Sequence, residues 1–119
     1  MSAEQYAHFI DVLEVHENLL HAETQAIAAK HLDTIEEILE KKETSLSTLL
    51  SARENLIEDP RKNEKADEMI NRVLELQGRN AKSFTKFFNE RSAKEKGGFL
   101  KISSQEQKVK NAYQRSRGN

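Results

Sequence analysis

Cysteine is absent from the 119 residues, which excludes disulfide frameworks, thiolate metal sites and cysteine nucleophiles together. Tryptophan is absent too, and one proline and four glycines encode few turns. No run approaches the roughly eighteen consecutive apolar residues of a membrane-spanning helix. The opening MSAEQYAHF has neither the positive n-region nor the apolar stretch of a secretion signal. These absences lead to the expectation of a cytoplasmic protein without membrane insertion. A Gly-rich phosphate loop, a nucleophile elbow and a dinucleotide fingerprint are also missing. The expectation is therefore a single domain over 1–119, not an enzyme, with no cofactor.

What is present favours helices. Charged residues make up 33% and apolar residues 36% of the chain, so the surface is large relative to the core. Ile, Leu, Val and Phe number 28, which stays above the roughly 20% level at which chains remain disordered. Leu, Glu, Lys and Ala keep their rotamer freedom in helices. The predicted fold class is all-α: an antiparallel helical bundle, or a long helical hairpin with coiled-coil-like packing, carrying a weak C-terminal helix.

The first predicted helix covers about 3–30, entered through a capping box at Ser2 and Gln5. Its apolar stripe is Tyr6, Ile10, Leu13, Leu20 and Ile27, widened by Phe9, Val12, Leu19 and Ala26, while Glu4, Asp11, Glu14 and Glu23 face water or a basic neighbour. The pattern loosens between Lys30 and Thr34. There Asp33 can cap a second helix over 34–58, with Ile35, Ile38, Leu39, Leu46, Leu49, Leu50, Leu56 and Ile57 inward. One uninterrupted helix is the alternative. Asp59-Pro60 is the clearest punctuation, and a third helix follows over 60–96 with the stripe Ala66, Met69, Ile70, Val73, Leu74, Leu76, Ala81, Phe84, Phe87 and Phe88. Gly78 marks a kink or a close crossing, and Gly97-Gly98 ends the run. A last helix over 104–114 is too short to be stable alone, and 115–119 reads as a mobile tail.

Charge is divided along the chain. Residues 1–59 contain thirteen acidic and four basic side chains, and residues 60–119 contain seven and fifteen. Either the two halves attract each other, or the basic half binds an acidic partner. The four histidines, at 8, 16, 21 and 31, lack metal-ligand spacing: His16 and His21 are five apart, about 140° around a helix, and no Glu stands three residues ahead of any of them. No metal site is expected, and Glu4 with His8 and Glu17 with His21 read as surface pairs. Phe84, Phe87 and Phe88 among basic residues would suit stacked bases, but their i, i+3, i+4 spacing is that of a buried helix face, so no nucleic acid partner is expected.

Two segments carry a family resemblance. HENLLHAETQAIAAKHLDTIEEILEKKETSLSTLL (16–50) has a Leu-Leu helix, an acidic stretch near a short turn and a Lys-Glu-x-x-Leu run. LELQGRNAKSF (74–84) is followed by a terminal helix ending AYQRSRG (112–118). In this order they resemble the FlgN family of flagellar type III export chaperones. The resemblance implies binding to hook-associated (hook-filament junction) proteins through their C-terminal amphipathic helices, protection from premature assembly, and delivery to an export gate component. It also implies that Tyr113 contacts the gate, although Gln114 stands where the family has Gly.

The residues suggest a matching mechanism. A marginal last helix can leave and uncover an apolar groove for a partner helix. The candidate client groove is Phe84, Phe87 and Phe88, covered by Phe99, Leu100, Val109 and Tyr113, with Lys82, Lys86, Arg91 and Lys94 as a basic rim for an acidic client. Tyr113 could instead cap the core. The alternative function is a homodimeric coiled-coil adaptor or structural protein that uses its stripes on a second copy.

Overall fold

The computed structural model describes residues 3–90 and 104–113, and among them the chain is an all-α helical bundle without strands. The helices are α1 (Ala3–Ala28), α2 (Leu32–Glu54), α3 (Glu64–Asn89) and α4 (104–113). Helix formers fill all four.

The reversal between α1 and α2 is made without glycine. Lys30 takes a left-handed conformation (φ 59°), its N–H donates to the Ile27 carbonyl at 3.0 Å, and the His31 N–H donates to the Ala26 carbonyl at 3.1 Å. This crossed pair closes the helix end in the way a C-terminal glycine ordinarily does. The second helix then begins at Leu32, before the predicted 34. His31 is its N-cap and makes no side-chain cap bond, and Asp33 sits in the first turn. The helix also stops at Glu54, short of 58, so Leu56 is buried in the link while Ile57, predicted inward, is 83% exposed.

Asp59-Pro60 opens a short 3-10 turn (Pro60–Lys62), in which the Asp59 carboxylate accepts from the Arg61 N–H at 2.9 Å. The long helix starts after it. Asn63 Oδ1 accepts from the Ala66 N–H at 3.1 Å and from the Tyr6 hydroxyl, which ties the start of α3 to the start of α1. The helix ends at Asn89, capped by Glu90, short of the predicted 96; residues 91–96, the Ser2 cap and 114–119 lie outside the described residues.

Cross-links along the helices fix their directions. His16 meets Ser45 and Glu23 meets Lys42, so α1 and α2 are antiparallel. Tyr6 meets Asn63, Glu17 meets Arg72 and Lys30 meets Glu90, so α1 and α3 run parallel. α1 is the shared neighbour of α2 and α3. On the other side, α4 completes a fourth corner. Gln105 Nε2 donates to the Leu39 carbonyl (3.3 Å) and to Glu43 Oε1 (3.0 Å), and a Cβ on Gly78 would stand 3.3 Å from Glu106 Oε2.

The buried positions follow a 4-3 alternation, the signature of coiled-coil-like seams. The seam is Phe9, Leu13, His16, Leu20, Glu23 and Ile27 in α1, flanked by Ala26, and Ala66, Ile70, Val73, Gln77, Asn80, Phe84 and Phe87 in α3, flanked by Met69, Leu76 and Ala81. Polar residues occupy the middle of each seam and divide the core. One apolar cluster gathers Phe9, Leu13, Leu46, Leu49, Ile70 and Val73 with Val109 and Tyr113. The other gathers Ile27, Ile35, Ile38 and Leu39 with Ala81, Phe84 and Phe87.

Candidate functional site: the fourth helix and the polar layer

Between the two clusters lies a layer of buried polar side chains. Glu23 and Lys42 have no exposure, and Lys42 Nζ donates to both carboxylate oxygens of Glu23 at 2.9 Å. Asn80 Nδ2 donates to Glu23 Oε1 and to the Leu20 carbonyl, both at 2.9 Å, and Asn80 Oδ1 accepts from the Thr24 hydroxyl at 2.7 Å. Three helices are thus bonded through one carboxylate, and every oxygen and amide hydrogen of the Glu23–Asn80 pair has a partner. Glu23, expected to face water or a basic neighbour, meets the basic Lys42, but its place in the 4-3 alternation carries the pair inside the bundle. Burial lowers the Lys42 pKa, and the Glu23 carboxylate opposes that shift.

His16 lies about two turns before Glu23 on α1, 1% exposed, with Nδ1 2.9 Å from Ser45 Oγ. Burial, and then the charge of Lys42, push its pKa down to about 4, so the ring is neutral at pH 7. Among the described residues no group of three or more His, Asp or Glu side chains is placed to hold a metal ion. Nor is any helix there long and apolar enough to cross a membrane.

α4 begins level with this layer. Gln105 bonds Leu39 and Glu43, the two sides of Lys42, while Glu106 lies against Gly78, next to the buried Gln77. Lys108 reaches Glu43 Oε2 at 3.7 Å. Only Gln105, Val109 and Tyr113 of this helix are fully buried, an i, i+4, i+8 face. Hydrogen bonding here is less complete than around Glu23 and Asn80, although His16 Nε2 is also without a partner among the described residues. The Gln77 amide, Gln105 Oε1 and the Tyr113 hydroxyl have no hydrogen-bond partner among the described residues. Burial raises the Tyr113 phenol above its ordinary pKa, against the nearby charges of Arg53 and Arg61.

No family model, curated protein or solved structure matches the chain.

The site residues expected from sequence fall into separate places. Val109 and Tyr113 are buried, but in the cluster built around Phe9, Leu49 and Ile70. Phe84 and Phe87 belong to the other cluster, where their rings meet edge to face at 5.6 Å, and Phe88 is half-buried beside them. Val109 and Tyr113 therefore do not cover the phenylalanines, because α4 joins the bundle at the opposite end of the polar layer. Lys82 and Lys86 are exposed on α3, and Lys86 borders a shallow α1–α3 groove of about 260 Å³ with Ile27, Phe87 and Glu90. Phe99, Leu100, Arg91 and Lys94 lie outside the described residues. Of the two surface pairs, Glu17 and His21 meet at 3.3 Å.

A second groove, of about 520 Å³, runs along the outer side of the α1–α2 hairpin, lined by Val12, Val15, Leu19, Lys41, Thr44 and Thr48 with Ser45. Val15 is 55% exposed there. Sequence reasoning placed Val12 and Leu19 on the core stripe and did not see that they border an open face.

Proposed function

We propose that this chain is a helix-binding export chaperone of the FlgN kind. It receives the C-terminal amphipathic helix of a hook-associated protein in the fourth corner of its bundle, prevents its premature assembly and delivers it to the type III export apparatus in the cytoplasm. One observation carries this reading: the fourth corner is filled by a helix that, over its described residues 104–113, fully buries only three side chains and leaves buried polar atoms without a partner among the described residues. The sequence predicts this helix over about 104–114, and helices shorter than about 12–15 residues are marginal alone, so α4 depends on its docking. Each unpaired buried polar group weakens that docking by about 1–3 kcal/mol. A longer amphipathic helix can take the same place, as partner helices do in apolar grooves.

The groove in this reading is the α2–α3 surface beneath Gln105, Val109 and Tyr113, in place of the phenylalanine cluster. Once α4 leaves, Tyr113 is free to act as the export-gate contact implied by the family resemblance. The test is titration calorimetry of the full chain with the C-terminal segment of a hook-associated protein. A soluble complex whose affinity changes on truncation after Gly97 is expected; absence of binding to any such segment overturns the proposal.

A second reading, a homodimeric coiled-coil adaptor, is favoured by the open apolar groove at Val12, Val15 and Leu19. Light scattering separates the two, since a monomer at micromolar concentration removes the dimer.

A further inference from the structure

The contacts of α4 describe the helix that would replace it. Glu43, on α2, receives two polar contacts from that helix: the Gln105 amide at 3.0 Å on Oε1 and the Lys108 ammonium at 3.7 Å on Oε2. Gln105 also reaches the Leu39 carbonyl at 3.3 Å. One turn on, Val109 enters the apolar cluster, and a further turn on Tyr113 does the same. Glu106 Oε2 lies 3.3 Å from where a Cβ on Gly78 would stand.

We infer that the α2–α3 groove selects partner helices with an amide side chain at i, a basic residue at i+3, an aliphatic residue at i+4 and an aromatic residue at i+8, with α4 as a tethered copy of that pattern that competes for the site. The inference rests on the helix-binding reading above and specifies its partner. Glu43 is the discriminating residue. Its carboxylate is the acceptor for the amide and the counter-charge for the base, and a helix with an acidic residue at i+3 sets two carboxylates against each other. Val109 and Tyr113 supply the apolar anchors, which any amphipathic helix could offer. Selectivity therefore lies in the polar pair.

A tethered helix acts at an effective concentration in the millimolar range for short linkers, so a free peptide competes poorly until α4 is loosened. The probe is a fluorescein-labelled peptide with the sequence of residues 102–114, titrated into the full-length chain and followed by anisotropy. Val109→Asp places a charge at a buried position and dislodges the tethered helix; Lys108→Glu loosens it from the surface without touching the core. Each variant, checked for helicity by circular dichroism, is expected to bind the peptide about tenfold or more tightly than the unaltered chain. Adding Glu43→Lys to Lys108→Glu would let α4 re-form its contact, so Glu43→Lys is read on the Val109→Asp background. There it is expected to weaken binding about tenfold, and a peptide carrying Lys108→Glu is expected to restore it. Equal binding by the unaltered and both loosened chains, or binding indifferent to Glu43→Lys, overturns the inference. A hook-associated segment that fails to bind while the peptide obeys this pattern removes the export reading alone. A segment that binds, with Glu43→Lys changing neither its affinity nor the peptide's, overturns the pattern alone.

Discussion

The Glu23–Lys42–Asn80 cluster of the polar layer and the fourth corner are both built from buried polar groups, yet they are finished to different degrees. In the layer, the Glu23 carboxylate is met by Lys42 and Asn80, and Asn80 by Thr24 and the Leu20 carbonyl, so three helices are bonded at one depth. In the corner, Gln105 is bonded through its amide nitrogen, while its carbonyl and the Tyr113 hydroxyl are unmatched among the described residues. The difference separates what is specified from what is replaceable. A buried ion pair adds little net stability over apolar residues, because removing two charges from water offsets most of their attraction. What it does here is fix the register of α1, α2 and α3, since any slip strands a charge. α4 carries no such constraint.

The largest test of this contrast is Lys42→Ala, which leaves the Glu23 carboxylate buried and unmatched. It is expected to lower stability by about 3–5 kcal/mol in urea unfolding followed by circular dichroism, and the paired change Glu23→Leu with Lys42→Met should recover most of that loss. A cost of Lys42→Ala below about 1 kcal/mol would mean that the layer is open to water.

His16 gives the next largest effect. Its pKa is lowered from 6.5 to about 4 in the folded state, so the unfolded chain binds more protons between those values. The stability that depends on a neutral ring is intact above about pH 6.5 and is lost as pH falls towards 4, by about 3 kcal/mol in all. Unfolding midpoints measured at pH 7.5 and pH 4.5 should differ less in His16→Leu than in the unaltered chain. Equal differences would show that the ring is already solvated.

At the corner the changes should be small. Gly78→Ala places a methyl group 3.3 Å from the end of the flexible Glu106 side chain, which can move aside. Alanine is favoured over glycine by about 1 kcal/mol in a helix interior, so this substitution should raise stability by up to that amount. A loss greater than about 1 kcal/mol would mean that α4 is held as firmly as the layer.

The fold was legible because apolar spacing, Asp59-Pro60 and helix-forming composition all pointed the same way. The α1–α2 break was harder to place, since Lys30 adopts the conformation usually marked by glycine and His31 supplies no side-chain cap. The polar layer was missed for a different reason. Core positions were read from apolar residues alone, which leaves Glu23 on the outer face. The alternation 9, 13, 16, 20, 23, 27 passes directly through His16 and Glu23, and 66, 70, 73, 77, 80, 84 through Gln77 and Asn80. Continuing the seam across its polar members would have found them. The pairing of Val109 and Tyr113 with the phenylalanines failed because nothing in the sequence states at which end of a bundle a detached helix docks.

Hydrogen exchange with mass spectrometry tests the contrast most directly. Amides in 108–113 are expected to exchange through local opening at least about a hundredfold faster than amides around Glu23, Lys42 and Asn80, which should open only with the whole bundle. Equal protection in the two regions would contradict the account, because a fourth helix as stable as the polar layer could not give up its place.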